Sequence, residues 1–154
     1  MKRWVTDPTS FATWKLTYDD VALLDPATVA AWPDGPDMPA TPVVVQADDG
    51  TPAVWVIDAG PGRPSQRRHV IDPASLAAWR FAGAVATRPA AEVYANPVGL
   101  PWRPAPFAFQ ASGRPQVHLL DDAPPPAGSD GGVASGDGGR PGTDGGGEFV
   151  TPDG

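Results

Sequence analysis

The sequence predicts an α+β fold: two tandem units of about 64 residues, each a β-hairpin with short helices, related by a pseudo-two-fold axis, closed by pairing of the N- and C-terminal strands and followed by a disordered tail. Three observations predict it. Residues 2–16 reappear as residues 67–81, and between 3 and 16 seven of fourteen positions are identical, far above the roughly one in fifteen expected from ordinary composition. β-branched and aromatic runs are broken by Gly/Pro loops. Asp-Pro occurs at Asp7-Pro8, Asp25-Pro26 and Asp72-Pro73, each time ahead of a short stretch with helical periodicity.

The repeat continues beyond that phrase. Pro33-Asp34-Gly35 corresponds to Pro97-Val98-Gly99 at a shift of 64, and Gly50-Thr51-Pro52 to Gly113-Arg114-Pro115 at a shift of 63. The chain therefore starts and stops inside a unit. Copy one is 1–46 completed by 111–122, and copy two is 47–110. Residues 117–120 are expected to pair with residues 2–6 as residues 54–57 pair with residues 67–71, which satisfies edge backbone groups that otherwise invite association.

Each element has a local reason. Val54-Trp55-Val56-Ile57 and Arg68-His69-Val70-Ile71 read as two strands of a hairpin, with 58–65 as a Gly/Pro loop that is not strand. In each Asp-Pro pair the Asp caps the orphan N–H groups and the Pro takes the first helical position. Trp follows seven residues after each of these Asp residues, as Trp14, Trp32 and Trp79, on the face of Phe11, Val29 and Leu76. That spacing marks a core signature, with an exposed aromatic platform as the alternative. Residues 88–95 stand where the Asp25 helix stands in copy one, without an Asp cap, so a weaker helix is expected there. The proline-rich connectors at 36–42 and 97–106 are expected to lie extended.

Residues 1–122 carry ten basic and thirteen acidic side chains and all six Trp, enough for one modest core. Residues 123–154 hold 11 of the 18 Gly and one Arg against five acids, a composition expected to be disordered. Phe149-Val150 is the one apolar spot there, either a leftover or a docking peptide. Without Cys there is no disulfide or thiol chemistry. No run reaches the ~18 apolar residues of a membrane span, so no membrane insertion is expected. Met1-Lys2-Arg3 leads into a helix cap, so no signal peptide is expected. A net charge of −7 argues against nucleic acid as a partner.

Candidate chemistry is sparse. The nucleophile elbow, the zinc-binding His pair and the phosphate loop are missing from the sequence, so no catalytic residue, cofactor or metal is expected. His69 and His118 occupy strand positions where the sister copy has Trp4 and Trp55, which favours packing over catalysis. Asp48-Asp49-Gly50 reads as a hairpin turn and Asp19-Asp20 as the approach to the second helix. Asp121-Asp122 lacks the alternating oxygen ligands of a calcium loop. Lys2, Arg3, Arg67 and Arg68 remain, with Lys15 and Arg80 at equivalent helix ends. They form either two basic spots on opposite sides of the domain, able to grip phosphate or carboxylate, or intramolecular pairs such as Arg68 with Asp58 or Asp121.

The phrase Val-Trp-Val-Ile-Asp-x-Gly, a short loop, Arg-Arg-His-Val-x-Asp-Pro-x-x-Leu-x-x-Trp and a Pro-x-Gly connector resembles the small hairpin-helix repeats of actinobacterial surface proteins and of actinobacteriophage tail or lysis-associated proteins. The resemblance covers about residues 1–122. It implies a non-enzymatic structural or attachment protein, tail-associated in a phage virion or part of a cell surface, with protein partners in a larger assembly. The alternative is a cell-wall-binding targeting module that serves a peptidoglycan hydrolase, with a cell-wall polymer as its partner. A small self-contained hydrolase is the least favoured reading, because the polar residues are few and interchangeable between copies.

Overall fold

The computed structural model describes residues 1–60 and 63–122. The tail expected at 123–154 lies outside the described residues. Within them the chain is mixed α and β, with two four-stranded sheets and a few short helices.

The first sheet has the order β1 (Lys2–Trp4), β8 (Val117–Leu120), β7 (Ala108–Ala111), β2 (Val21–Leu24). The second has the order β5 (Arg63–Val70), β4 (Val54–Gly60), β3 (Val43–Ala47), β6 (Ala86–Arg88). The first and last strands, β1 and β8, pair antiparallel, with Trp4 opposite His118, as the phase of the repeat predicts. In the second sheet Trp55 stands opposite His69 in the same kind of pairing. Each sheet ends on a parallel strand: Val21 lies opposite Ala108, and Val45 opposite Ala86.

Three expectations change. The boundary placed at 46/47 falls inside β3, because the Asp48-Asp49-Gly50 turn folds β3 directly onto β4 and so puts it in the second sheet. Gly50 sits at φ 81° and the Asp49 carboxylate accepts from Thr51 N–H, the local chemistry of a tight turn. The loop expected over 58–65 is largely strand. β4 runs to Gly60 and β5 starts at Arg63, with a register shift between Asp58 and Gly60. A bulge absorbs the irregular geometry, and Pro64 is tolerated because β5 is an edge strand. Finally, β2 and β6 are strands that periodicity does not reveal, being four and three residues long. Asp19-Asp20 therefore ends a 3-10 turn, Tyr18–Asp20, that leads into β2 and not into a helix.

The helices follow their caps. In α1 (Pro8–Thr13), α2 (Pro26–Ala31) and α3 (Pro73–Ala78) the preceding Asp accepts from a backbone N–H of the first turn, and Pro occupies the first helical position. The fourth, α4 (Ala90–Tyr94), has no cap from its own segment. Asp48, the residue after β3, supplies one by accepting from Ala90 N–H at 2.9 Å.

The C-termini of α1 and α3 are paired Schellman motifs. Leu16 N–H bonds Phe11 C=O and Lys15 N–H bonds Ala12 C=O, while Phe81 bonds Leu76 and Arg80 bonds Ala77. Glycine is the usual residue at the left-handed position of this motif. Here it is held by Lys15 at φ 58° and Arg80 at φ 57°. A left-handed conformation costs a residue with a Cβ about 1–2 kcal/mol, whereas an exposed cation at a helix C-terminus gains only about 0.3–1 kcal/mol.

Trp14 and Trp79 are core, as their spacing predicts. With Phe81 and Trp102 they form one aromatic cluster, Trp14 stacking on Trp102 at 5.6 Å and Trp79 tilting against it at 5.2 Å. Their indole N–H groups donate to the connectors, Trp14 to Pro39 C=O at 2.7 Å and Trp79 to Arg103 C=O at 2.8 Å. Trp32 is only half-buried, packed edge-on to Phe109 in a smaller cluster.

Candidate functional site

The interior holds a cluster of charge. Arg3 on β1 donates to both carboxylate oxygens of Asp58 on β4, at 3.0 and 2.9 Å, and to Asp121 at 2.9 Å. Arg68 on β5 does the reverse: it donates to both oxygens of Asp121, just after β8, at 2.6 and 2.8 Å, and reaches Asp58 at 3.4 Å. Each bidentate bond therefore crosses from one sheet to the other. The side chains of Arg3, Asp58 and Arg68 are 0 %, 0 % and 2 % exposed. Arg63, near the start of β5, adds a third guanidinium on Asp58.

The remaining guanidinium hydrogens of Arg3 and Arg68 go to the connectors, while Arg63 Nε has no partner among the described residues. Arg3 donates to Pro36 and Asp37 C=O at 2.9 and 3.1 Å, and Arg68 to Leu100 and Pro101 C=O at 2.9 and 3.0 Å. Trp102 covers the Arg68 guanidinium at 4.5 Å, a cation–π contact. Charge survives burial because of these partners. Burial opposes ionisation of Asp58, but hydrogen bonds and charge from Arg3 and then Arg63 outweigh it, holding the carboxyl below its ordinary range. Asp121 is lowered in the same way, against burial, by Arg68 and then Arg3. Burial likewise opposes the charge on Arg68, and Asp121 more than offsets it. The full, bidentate bonding of Arg3 and Arg68 is the geometry in which a buried ion pair is held rather than neutralised.

The four residues expected as anionic-ligand contacts do not present a basic surface. Arg3 and Arg68 are inside, and the intramolecular alternative, Arg68 with Asp121 and Asp58, describes their bonding. Lys2 donates to Trp32 C=O and pairs with Asp34 at 3.0 Å. Arg67 lies between the rings of Trp55 and Tyr94, at 5.2 and 5.0 Å, and donates to Tyr94 C=O. The reason is the pleat: neighbours along a strand point to opposite faces, so each basic pair sends one member to the core and the other to the end of α2 or α4. Sequence reading missed Arg63 and Trp102, which the strand at 63–70 and the connector bring to the cluster.

The histidines pack. His69 tilts against Trp55 at 5.1 Å and His118 stacks on Phe109 at 5.6 Å. Burial, and next the charge of Lys2, push the His118 pKa down, and its Nδ1 has no partner among the described residues. The acid pairs also have local duties. Asp48 and Asp49 cap α4 and the hairpin turn, Asp49 also accepts from the Tyr94 hydroxyl at 2.7 Å, and Asp122 pairs with Arg103 at 2.8 Å.

On the surface, a groove of about 200 Å³ runs beside β1 and α1, lined by Trp4, Phe11, Tyr18, Asp7 and Gln116. Trp4 is 41 % exposed, and Tyr18, stacked on Phe11 at 4.8 Å, is 68 % exposed. The corresponding groove beside β5 and α3, about 400 Å³, is lined by His69, Leu76, Asp72 and Ala53. No family model, curated protein or solved structure matches the chain.

Proposed function

We propose that the chain is a non-enzymatic structural or attachment module, a tail-associated component of a phage particle or part of a cell-surface apparatus. It is built from two copies of one unit about a pseudo-two-fold axis, within residues 1–122. The observation that carries this reading is the reciprocal clasp. Arg3 chelates Asp58 while Arg68 chelates Asp121, so charged groups that would otherwise be available for chemistry bond to one another and tie the first and last strands to the second sheet. The recurrence of each bond 63–65 residues on, including those of Trp14 and Trp79 to the connectors, supports the duplicated unit. The motif's resemblance to hairpin-helix repeats supports the setting.

The exposed Trp4 and Tyr18 favour a second reading, a wall-targeting module, since exposed aromatic faces suit glycans and peptides alike. Pull-down of the full chain on purified actinobacterial walls separates the two. Saturable binding favours targeting, and no binding favours an assembly component. Steady release of soluble fragments from the wall by the protein alone would refute both.

A further inference from the structure

Lys15 and Arg80, expected on opposite sides of the domain, meet. Arg80 Nη1 donates to Lys15 C=O at 2.7 Å and Nη2 to Asp20 at 2.9 Å. Both residues line one cleft of about 280 Å³, whose walls are the Trp14 and Trp79 edges, Pro106 and Ala108. They are the only non-glycine residues at positive φ among those described. The helix ends would be easier to build with glycine at both positions. A strained backbone repeated at two places that converge on one cleft points to a use for the side chains.

We propose that this cleft binds a carboxylate carried on a small apolar group, with Lys15 as the principal contact and Arg80 as its support. Among the described residues Lys15 Nζ has no carboxylate and no hydrogen-bond acceptor, whereas Arg80 is anchored by Asp20 and by Lys15 C=O. Two cations against one anion leave the cleft with a single positive charge, which matches a monoanion. The Asp20 carboxylate, hydrogen-bonded by Thr17 and Arg80, stays ionised and opposes a phosphate dianion. The apolar walls leave room for a few non-hydrogen atoms beside the anionic head. This deepens the attachment reading by naming the chemical group of the partner, and it rests on that reading for the partner being a protein. The Asp or Glu side chain, or the C-terminus, of a neighbouring protein would supply such a group.

The test is a ¹H–¹⁵N NMR titration of the full chain with N-acetylglycine, with its uncharged amide and with inorganic phosphate. Saturable shifts at Lys15, Leu16 and Arg80 with the carboxylate, at about millimolar affinity, and none with the amide are expected. Lys15→Gln should weaken binding about tenfold, Lys15→Arg should retain it, and Lys15→Gly should lose binding while raising Tm. No saturable shift at the cleft, equal response to the amide or to phosphate, or undiminished binding by Lys15→Gln would overturn the proposal. A lower Tm for Lys15→Gly would overturn the argument from strain. Each of these failures would leave the wall pull-down as it stands, so the two readings fail separately.

Discussion

Replacing Asp121 by Asn removes one of the two negative charges shared by three guanidinium groups. Arg68 then loses its bidentate partner, and Arg3 loses the second of its two carboxylates. Asp58 cannot take over, because Arg3 already occupies both its oxygens and Arg68 reaches it only at 3.4 Å. Breaking a buried pair from one side costs about 3–5 kcal/mol, since the orphaned charge stays buried. Total stability for a domain of this kind is about 5–15 kcal/mol, so the loss is a large share of it. At about 4 °C per kcal/mol, Tm should fall by roughly 10–20 °C. Thermal and urea unfolding followed by circular dichroism would measure it. The double variant Arg68→Met with Asp121→Leu removes a cation with the anion, and should lose less than Asp121→Asn alone. A loss below about 1 kcal/mol for Asp121→Asn, the range of a surface pair, would refute the clasp as a stabilising element.

Deleting residues 111–154 removes β8, the partner of both β1 and β7, and should give an unfolded or aggregated product on size exclusion; deleting 124–154 should leave Tm nearly unchanged, and equal stability of the two would refute closure by the C-terminal strand. Trp14→Ala and Trp79→Ala should each cost about 3–5 kcal/mol in urea unfolding, and Trp32→Ala less, because only the first two lie in the central cluster. The carboxyls of Asp58 and Asp121 are depressed in the folded state, so their contribution is fully present above the unfolded pKa of about 3.9 and is lost as pH falls below it toward the folded values. Urea midpoints should therefore be flat near neutrality and drop in acid, with a shallower drop for Asp121→Asn.

What could be read from the sequence was what is local and what the repeat copies. Asp7, Asp25 and Asp72 announce their helices because capping depends on three or four consecutive residues. The pairing of 117–120 with the N-terminal strand was legible because the repeat carries the register from one hairpin to the other. The strand ends at 58–60 and 63–65 were not, since Gly and Pro oppose strand by propensity and only the edge position and the bulge permit them. β2 and β6 are too short to show a period and exist because β7 and β3 offer them a parallel neighbour. For the clasp, Arg68 with Asp58 or Asp121 was one of two readings. Choosing between them needed the pleat, which sends Arg3 and Arg68 inward and Lys2 and Arg67 outward. Nothing in the sequence places Lys15 beside Arg80, because that contact depends on how α1 and α3 face each other.

In the repeated phrase the buried residues that donate hydrogen bonds are kept, whereas residues that only pack differ, Leu16 against Phe81 even in the core. Arg3 and Arg68, Asp7 and Asp72, Ser10 and Ser75, and Trp14 and Trp79 are identical pairs, and each is buried or caps a helix. Trp4 against His69 and Phe11 against Leu76 are unlike pairs, and they line the two surface grooves. Geometry explains the division. A side chain enclosed by both sheets must satisfy the same bonds in each copy, so a change there leaves a guanidinium or an indole N–H without its acceptor. The groove residues are held by packing and not by such bonds, Phe11 stacking on Tyr18 and His69 tilting against Trp55, so their exchange strands no acceptor. Under the attachment reading, a partner can therefore tell the two grooves apart although the scaffold beneath them is built alike, with an exposed Trp and Tyr in one and a His and Leu in the other. The Lys15–Arg80 contact joins the two occurrences of the phrase directly, Arg80 Nη1 donating to Lys15 C=O at 2.7 Å.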